Sequence, residues 1–397
     1  MLKRFKSRRT LAALAIVLAA LLAAGLAFLI FGNGRPYRMV KTDIPGEIHK
    51  RGEFTAIGAI RWDAWYGEPR STDPDNPDPC TQVERALGPA EYHWRVPFFG
   101  DIADDGKVVF PAYTQEIFDR EMEYAVEAGL DYFAYVWYLN IPGMERAHQF
   151  HAASQYNTQM KMCSIFDGNA VNQQNVRDEI RGMIAQGYWQ TVQGGRPLMF
   201  YFQVGDEAVA EDIAAYRAIC AELGIPAPYA VVMGGGKKMI TQYGADAVSD
   251  YAIGGSGGAP FSTLGDAARR RWDRARKDGV QMVPCWSAGW NALPRHDNPV
   301  TWMEISADSW AADGTPEEIA QMLAASLEWC ADNEKFTMAN AVIGYAWNEH
   351  DEGGWLCPTV IVDETGAALK NADGTVQVDD SRVRALKKVI EDYKSGN

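Results

Sequence analysis

The sequence predicts an α/β protein: a (β/α)8 TIM barrel preceded by an N-terminal transmembrane helix. Three observations carry that reading. Apolar runs rich in β-branched and aromatic residues alternate eight times with amphipathic helical stretches over roughly 300 residues, as a (β/α)8 barrel requires. A helix–glycine–strand order recurs at Gly129, Gly224 and Gly279. The alternative for such alternation, a doubly wound open sheet, would carry Gly-x-Gly-x-x-Gly after its first strand, and no such motif stands there.

The chain begins with a basic cluster, Lys3, Arg4, Lys6, Arg8 and Arg9, within residues 1–10. Leu11 to Phe31 then forms an unbroken apolar run, about 30 Å long as a helix and so enough to cross a hydrocarbon core. The basic side is expected to stay cytoplasmic, which places the rest of the chain outside the membrane. A cleaved signal peptide is the other reading, although the run ends Phe28-Leu29-Ile30-Phe31 without a small-residue cleavage site. Both readings export the body. Residues 32–50 read as a tether, and residues 51–397 as one catalytic domain closed by a C-terminal hairpin and helix.

Eight candidate strands fall near residues 55–62, 131–137, 160–166, 197–203, 229–233, 247–252, 281–286 and 342–347. Helices are expected at about 115–128, 173–186, 209–223, 262–278 and 315–332. The clearest unit opens with Thr114 as N-cap. Ile117, Phe118, Met122, Ala125 and Val126 then recur at helical spacing, and Gly129 supplies a left-handed stop. Toward the end, Val360 to Val362 and Val376 to Val378 read as short strand-like pieces. The last helix, about 381–393, carries Val383, Leu386, Val389 and Ile390 on one face.

The net charge is −14, and without the five N-terminal cations 33 basic residues face 52 acidic ones, a balance of −19. So negative a body repels nucleic acid and anionic lipid, and a neutral or cationic ligand suits it better. Apolar residues make up 47% of the chain, ample for a buried core. The cysteines Cys80, Cys163, Cys220, Cys285, Cys330 and Cys357 are scattered, without zinc or haem spacing. Export permits disulfides, but buried free thiols are an equal alternative. No metal or cofactor is expected.

Chemistry concentrates after the eighth strand. Val342 to Trp347 is apolar and runs directly into Asn348-Glu349-His350-Asp351-Glu352-Gly353-Gly354-Trp355. Barrel active sites lie at the C-terminal ends of strands, so a carboxylate cluster at this address marks the candidate centre. Glu349 and Glu352, three residues apart, share a face if the segment makes a helical turn. Two carboxyls that close do not ionise together readily, which yields an acid and a base at neutral pH, as glycosidic cleavage needs. An exposed acidic loop is the plain alternative, but acidic loops seldom sit between tryptophans.

The run Asn348-Glu349-x-x-Glu352-Gly353-x-x-Leu356-x-Pro358 resembles the signature of the glycoside hydrolase family 99-like proteins, which include the WbsX group. Looser matches, in the expected order, are Phe118 to Tyr138, Arg196-Pro197, Gly244 to Val248, and Gly289-Trp290-Asn291 with Pro294-Arg295. The resemblance spans about residues 54–359. It implies a (β/α)8 barrel, α-mannoside-type substrates and retention of configuration. It further implies Glu349 as the base that deprotonates the sugar 2-hydroxyl and Glu352 as the acid that protonates the leaving oxygen, through a 1,2-anhydro sugar. The sequence departs from the pattern at His350, where an aromatic residue is usual, and at Asp351, a third carboxylate.

Strand ends supply the candidate substrate-binding residues: Asp63, Trp65, Tyr138, Asp167, Asn169, Trp290, Asn291 and Arg295, with Asn348 and Trp355 from the motif itself. Tryptophans suit sugar faces, while Asn, Asp and Arg suit hydroxyls; core packing is the alternative for each. Several weaker signals are set aside. His148 and His151 lack a His-Glu-x-x-His context, and Gly234-Gly235-Gly236-Lys237-Lys238 lacks phosphate-loop spacing. Gly254 to Gly258 reads as a rim loop, Asp73-Pro74-Asp75 as a chance match to a glycosyltransferase motif, and no Gly-x-Ser-x-Gly elbow is present. The expected function is a retaining glycoside hydrolase acting on a glycan outside the membrane. The alternatives are a glycosyltransferase or transglycosylase of envelope polysaccharide assembly, and a glycan-binding protein without catalysis.

Overall fold

The computed structural model describes residues 55–63, 70–73, 75, 77–139, 142–202 and 206–395. The basic segment, the membrane-spanning run and the tether expected over residues 1–50, and Trp65, lie outside these residues. Among the described residues no helix is long and apolar enough to cross a membrane.

Nine strand pieces form one parallel sheet: β1 (Ala56–Arg61), β2 (Tyr132–Trp137), β3 (Lys161–Phe166), β4 (Arg196–Tyr201), β5 (Tyr229–Met233), β6 (Ala247–Ser249), β7 (Gln281–Met282), β8 (Cys285–Ser287) and β9 (Ala341–Tyr345). Pairing runs from β7 through β6, β5, β4, β3, β2 and β1 to β9 and finally β8. The two ends of that path, β7 and β8, are consecutive pieces of one stretch separated by Val283-Pro284. Pro284 has no N–H to give a ladder, which accounts for the break. Its carbonyl still accepts from Ile343 N at 3.0 Å, and Val283 N donates to Val248 O at 3.0 Å. The stretch therefore bonds to both neighbours, and the curled sheet fits a TIM-like barrel. Each of the eight expected strand regions contains a strand of this sheet, the seventh in two pieces.

The helices follow the sequence closely where local signals are strong. The first three are α1 (Pro79–Ala86), α2 (Gln115–Ala128) and α3 (Pro142–Ala153). In α2, Thr114 accepts from Ile117 N at 3.3 Å, and Gly129 closes the helix at φ 89°. Further along lie α4 (Gln174–Ala185), α5 (Asp206–Glu222), α6 (Lys237–Tyr243), α7 (Ser262–Asp278), α8 (Leu293–Asp297), α9 (Pro316–Asp332) and α10 (Ser381–Ser395). Four of these, α1, α3, α6 and α8, escaped the periodicity; two of them open on glycine or proline-rich loops. Gly236 caps α6, so the glycine–lysine run is a helix start. The end of the chain forms the expected closing elements: Thr359–Val360 pairs antiparallel with Val378–Asp379, and α10 buries Val383, Leu386, Val389, Ile390 and Tyr393. All six cysteines are buried free thiols.

Candidate active site

The site is assembled by the chain that leaves β9. Trp347 N donates to Ile60 O at 2.7 Å, which ties the end of β9 to β1. Asn348–Glu349 then pairs antiparallel with Gly354–Trp355, and a 3₁₀ turn over His350–Glu352 joins the two. The segment is thus a tight hairpin, where an ordinary helical turn was one expectation. Side chains three apart along a 3₁₀ turn eclipse, so Glu349 and Glu352 still fall on one side. Gly353 makes the hairpin possible. It sits at φ 81°, and a Cβ there would lie 2.4 Å from Asn291 N. That close approach lets Asn291 N donate to Glu352 O at 2.7 Å.

Glu349, Asp351 and Glu352 are all buried, and all three meet one guanidinium. Arg295 grips Asp351 through two bonds, Nε to Oδ2 at 2.7 Å and Nη2 to Oδ1 at 3.1 Å. Its Nη1 donates to Glu352 Oε1 in a short contact, and its Nη2 reaches Glu349 Oε2 at 3.3 Å. Two phenols complete the cluster: Tyr251 donates to Glu349 Oε1 at 3.2 Å, and Tyr345 donates to Glu352 Oε2. Burial, and then the nearby Glu352 charge, pushes the Glu349 carboxyl well above the usual carboxylate range, against the pull of Arg295. Burial alone would lower the Arg295 value, but Asp351, Glu352 and Glu349 together hold it well above its ordinary one. His350 is buried too, bonds Arg95 O through Nδ1 at 2.7 Å, and is pushed down by burial to about 3, so it is neutral.

The cluster forms part of the wall of a cavity of about 570 Å³, which also includes Trp62, Tyr138, Phe202, Tyr251 and Trp290. Aromatic faces beside a few convergent polar groups are the usual make-up of a small-molecule site. Among the described residues no group of His, Cys, Asp or Glu is arranged to hold a metal ion.

A structure of the GH99 endo-α-mannosidase from Bacteroides thetaiotaomicron, in complex with bis-tris propane, superposes with a TM-score of 0.51 at 12% identity, covering 86% of this chain and 98% of that one. The fold is GH99-like. A second structure of the GH99 endo-α-mannosidase from that organism gives a TM-score of 0.49 at the same identity and coverage. No protein-family model and no curated protein sequence matches the chain. The expected site residues divide by whether they line the cavity.

Glu349, Glu352, Tyr138, Trp290 and Arg295 line the cavity together. Asp63, Asp167, Asn169, Asn291, Asn348 and Trp355 are not among the residues that line it. Asp63 pairs with the buried Arg61 at 2.7 Å, and Arg61 also holds Glu121 of α2 at 2.7 Å. Asp167 caps its own turn, accepting from Asn169 N at 2.9 Å and Ala170 N at 3.1 Å, while Asn169 is exposed. Asn291 locks the loop after β8, its Nδ2 donating to Asp313 Oδ2 at 3.0 Å. Asn348 accepts from Trp62 N at 2.8 Å, and its buried Nδ2 has no hydrogen-bond partner among the described residues. Trp355 is stacked beneath Arg382, whose Cζ lies 3.6 Å from the ring centroid.

Among the contributors that the sequence analysis does not single out are Trp62, Tyr251 and Tyr345. Trp62 and Tyr251 follow β1 and β6, so the same strand-end rule reaches them. Tyr345 lies within β9, and nothing local separates it from a core aromatic.

Proposed function

We propose that the protein is a retaining glycoside hydrolase of α-mannoside-like glycans, with Glu349 and Glu352 as its proton-transferring pair. The observation that carries this reading is the pair itself: two buried carboxylates, three residues apart, sharing one guanidinium in an aromatic-lined cavity. The GH99-like fold supports the reading.

Glu349 acts as the base. It acts in its ionised form, and its raised pKa makes that form a stronger acceptor than an ordinary carboxylate. It takes the proton of the sugar 2-hydroxyl, O2 bonds to C1, and the C1–oxygen bond to the leaving group breaks. Glu352 gives its proton to that departing oxygen. When Glu352 is protonated its contact with Tyr345 reverses, the carboxyl O–H donating to the phenol oxygen. Water then attacks C1 of the 1,2-anhydro sugar, giving a proton to Glu352, while Glu349 returns the first proton to O2. Two inversions at C1 leave the configuration retained. In the cell the site works outside the membrane, tethered through residues 11–31.

The test is to incubate the full chain in detergent with a panel of α-mannosides and mixed polysaccharides, beside Glu349→Gln and Glu352→Gln. General acid–base groups contribute about 10²–10⁴-fold, and each variant is expected to lose that much in kcat/KM. Product formed only on addition of a sugar nucleotide would replace the hydrolase with a transferase. Equal products from both variants would remove the pair from the chemistry.

A further inference from the structure

We propose that Trp302 is a stacking platform for a sugar ring of a neutral glycan that continues from the carboxylate cavity into a second cavity beside it; this rests on the reading of the site as glycan-acting. The second cavity, about 480 Å³, shares Arg295, Trp302 and Met303 with the first, about 570 Å³. The two cavities adjoin along these residues, and the carboxylates Glu349 and Glu352 line the first of them.

Trp302 and Met303 are among the exposed large apolar side chains of the described residues. They are 40% and 38% exposed, neighbours in sequence, and both at the junction of the cavities. An exposed tryptophan alone needs no explanation, but this one is held on a prepared mount. Val300 and Met303 form an antiparallel bridge, so Thr301 and Trp302 make the tip of a tight turn. Thr301 N donates to the oxygen of the buried Gln82 at 2.6 Å, which pins that tip to α1. The indole also packs against Trp62, centroids 5.7 Å apart, and against Arg295, whose Cζ lies 5.5 Å from the ring centroid. A ring fixed before ligand arrives loses little freedom on binding, and its open part offers a flat apolar surface.

The chemistry of the occupant follows. A pyranose ring presents C–H bonds on a flat face and hydroxyls at its edge; His296, Thr301 and Glu304 stand in the second cavity to meet the latter. A net charge of −14 argues against an anionic chain.

The experiment uses the full chain in detergent with Glu352→Gln, to block cleavage, and calorimetric binding of α-linked manno-oligosaccharides from the disaccharide to the hexasaccharide. Affinity is expected to step up by about tenfold when the added ring reaches Trp302, which corresponds to about 1.4 kcal/mol. In Trp302→Ala that step disappears, and Trp302→Phe restores part of it. The readout is the ratio between lengths, so a general loss from disturbing Arg295 does not imitate it. A step of unchanged size in Trp302→Ala, no step in the parent, or no binding at any length overturns the platform. Cleavage by the wild type is followed in parallel. Products without a length-dependent step would sink the platform and leave the hydrolase standing; a step lost in Trp302→Ala, with no product from the wild type, would do the reverse.

Discussion

Burial, and then an excess of carboxylates over the one guanidinium, raises the Glu349 pKa against the pull of Arg295. Asp351 takes two of the Arg295 contacts and adds a further negative charge that helps to raise the Glu349 pKa. Asp351→Asn is therefore expected to lower that pKa and move the acidic limb of a kcat/KM profile to lower pH, while Asp351→Glu keeps it near its original place. An unmoved limb in Asp351→Asn would show that Asp351 only packs. The same residue makes a prediction about stability. Glu349 is raised in the folded state, so between its unfolded pKa of about 4.3 and the folded value the native chain holds a proton that the unfolded chain has lost. Stability contributed by this group is complete below that window and is lost as pH rises through it. Glu349→Gln removes the dependence, so its melting temperature should gain on the wild type as pH increases; parallel curves would contradict the shift. Arg295→Met leaves three buried carboxylates without a cation and is expected to cost about 3–5 kcal/mol in chemical denaturation.

At the level of elements, the hairpin after β9 decides whether the two glutamates meet. Gly353 carries a left-handed φ and abuts Asn291, so Gly353→Ala adds both backbone strain and a clash with a backbone nitrogen. Activity should fall with a smaller loss of folding, because the rest of the sheet pairs without this hairpin. A variant with full activity would show that the loop after β8 yields easily. Helix α9 offers a control at a residue that does not line the cavity. Thr315 accepts from Glu318 N at 3.2 Å while the Glu318 side chain accepts from Thr315 N at 2.9 Å, a complete capping box. Thr315→Ala is expected to cost about 1 kcal/mol and leave turnover per folded molecule unchanged.

Over the whole molecule, the site depends on parts of the chain that never touch it. Glu121 of α2 accepts from Trp347 Nε1 at 2.9 Å and pairs with Arg61, so one buried carboxylate links a helix, β1 and the run into the site. Helix α10 seals the other end: the Tyr393 hydroxyl lies 2.7 Å from Thr55 Oγ1, and Lys394 pairs with Asp131 at 3.0 Å. Removing residues 381–397 would take away five buried side chains, each worth about 1.5–3 kcal/mol, and uncover the surface they pack on. That truncation is expected to yield insoluble protein, and a soluble, cooperatively melting product would show that α10 is dispensable.

Much of this was legible in the order of the residues. Alternating apolar runs and amphipathic stretches determine strands and helices because side-chain period is a local property, and Thr114 and Gly129 end α2 by their own hydrogen-bonding and φ preferences. The address of Glu349 and Glu352 at a strand end was equally local. Which strand-end residues face the cavity was not, since that depends on how far each loop travels after its strand. Asp63 and Asp167 follow strands just as Tyr138 does, yet Arg61 claims the first and a turn claims the second. Arg295 and Asp351 are separated by 56 positions, so their bidentate pairing belongs to the folded chain. Charge, burial and proton sharing depend on distances through space, and only tertiary structure sets those distances.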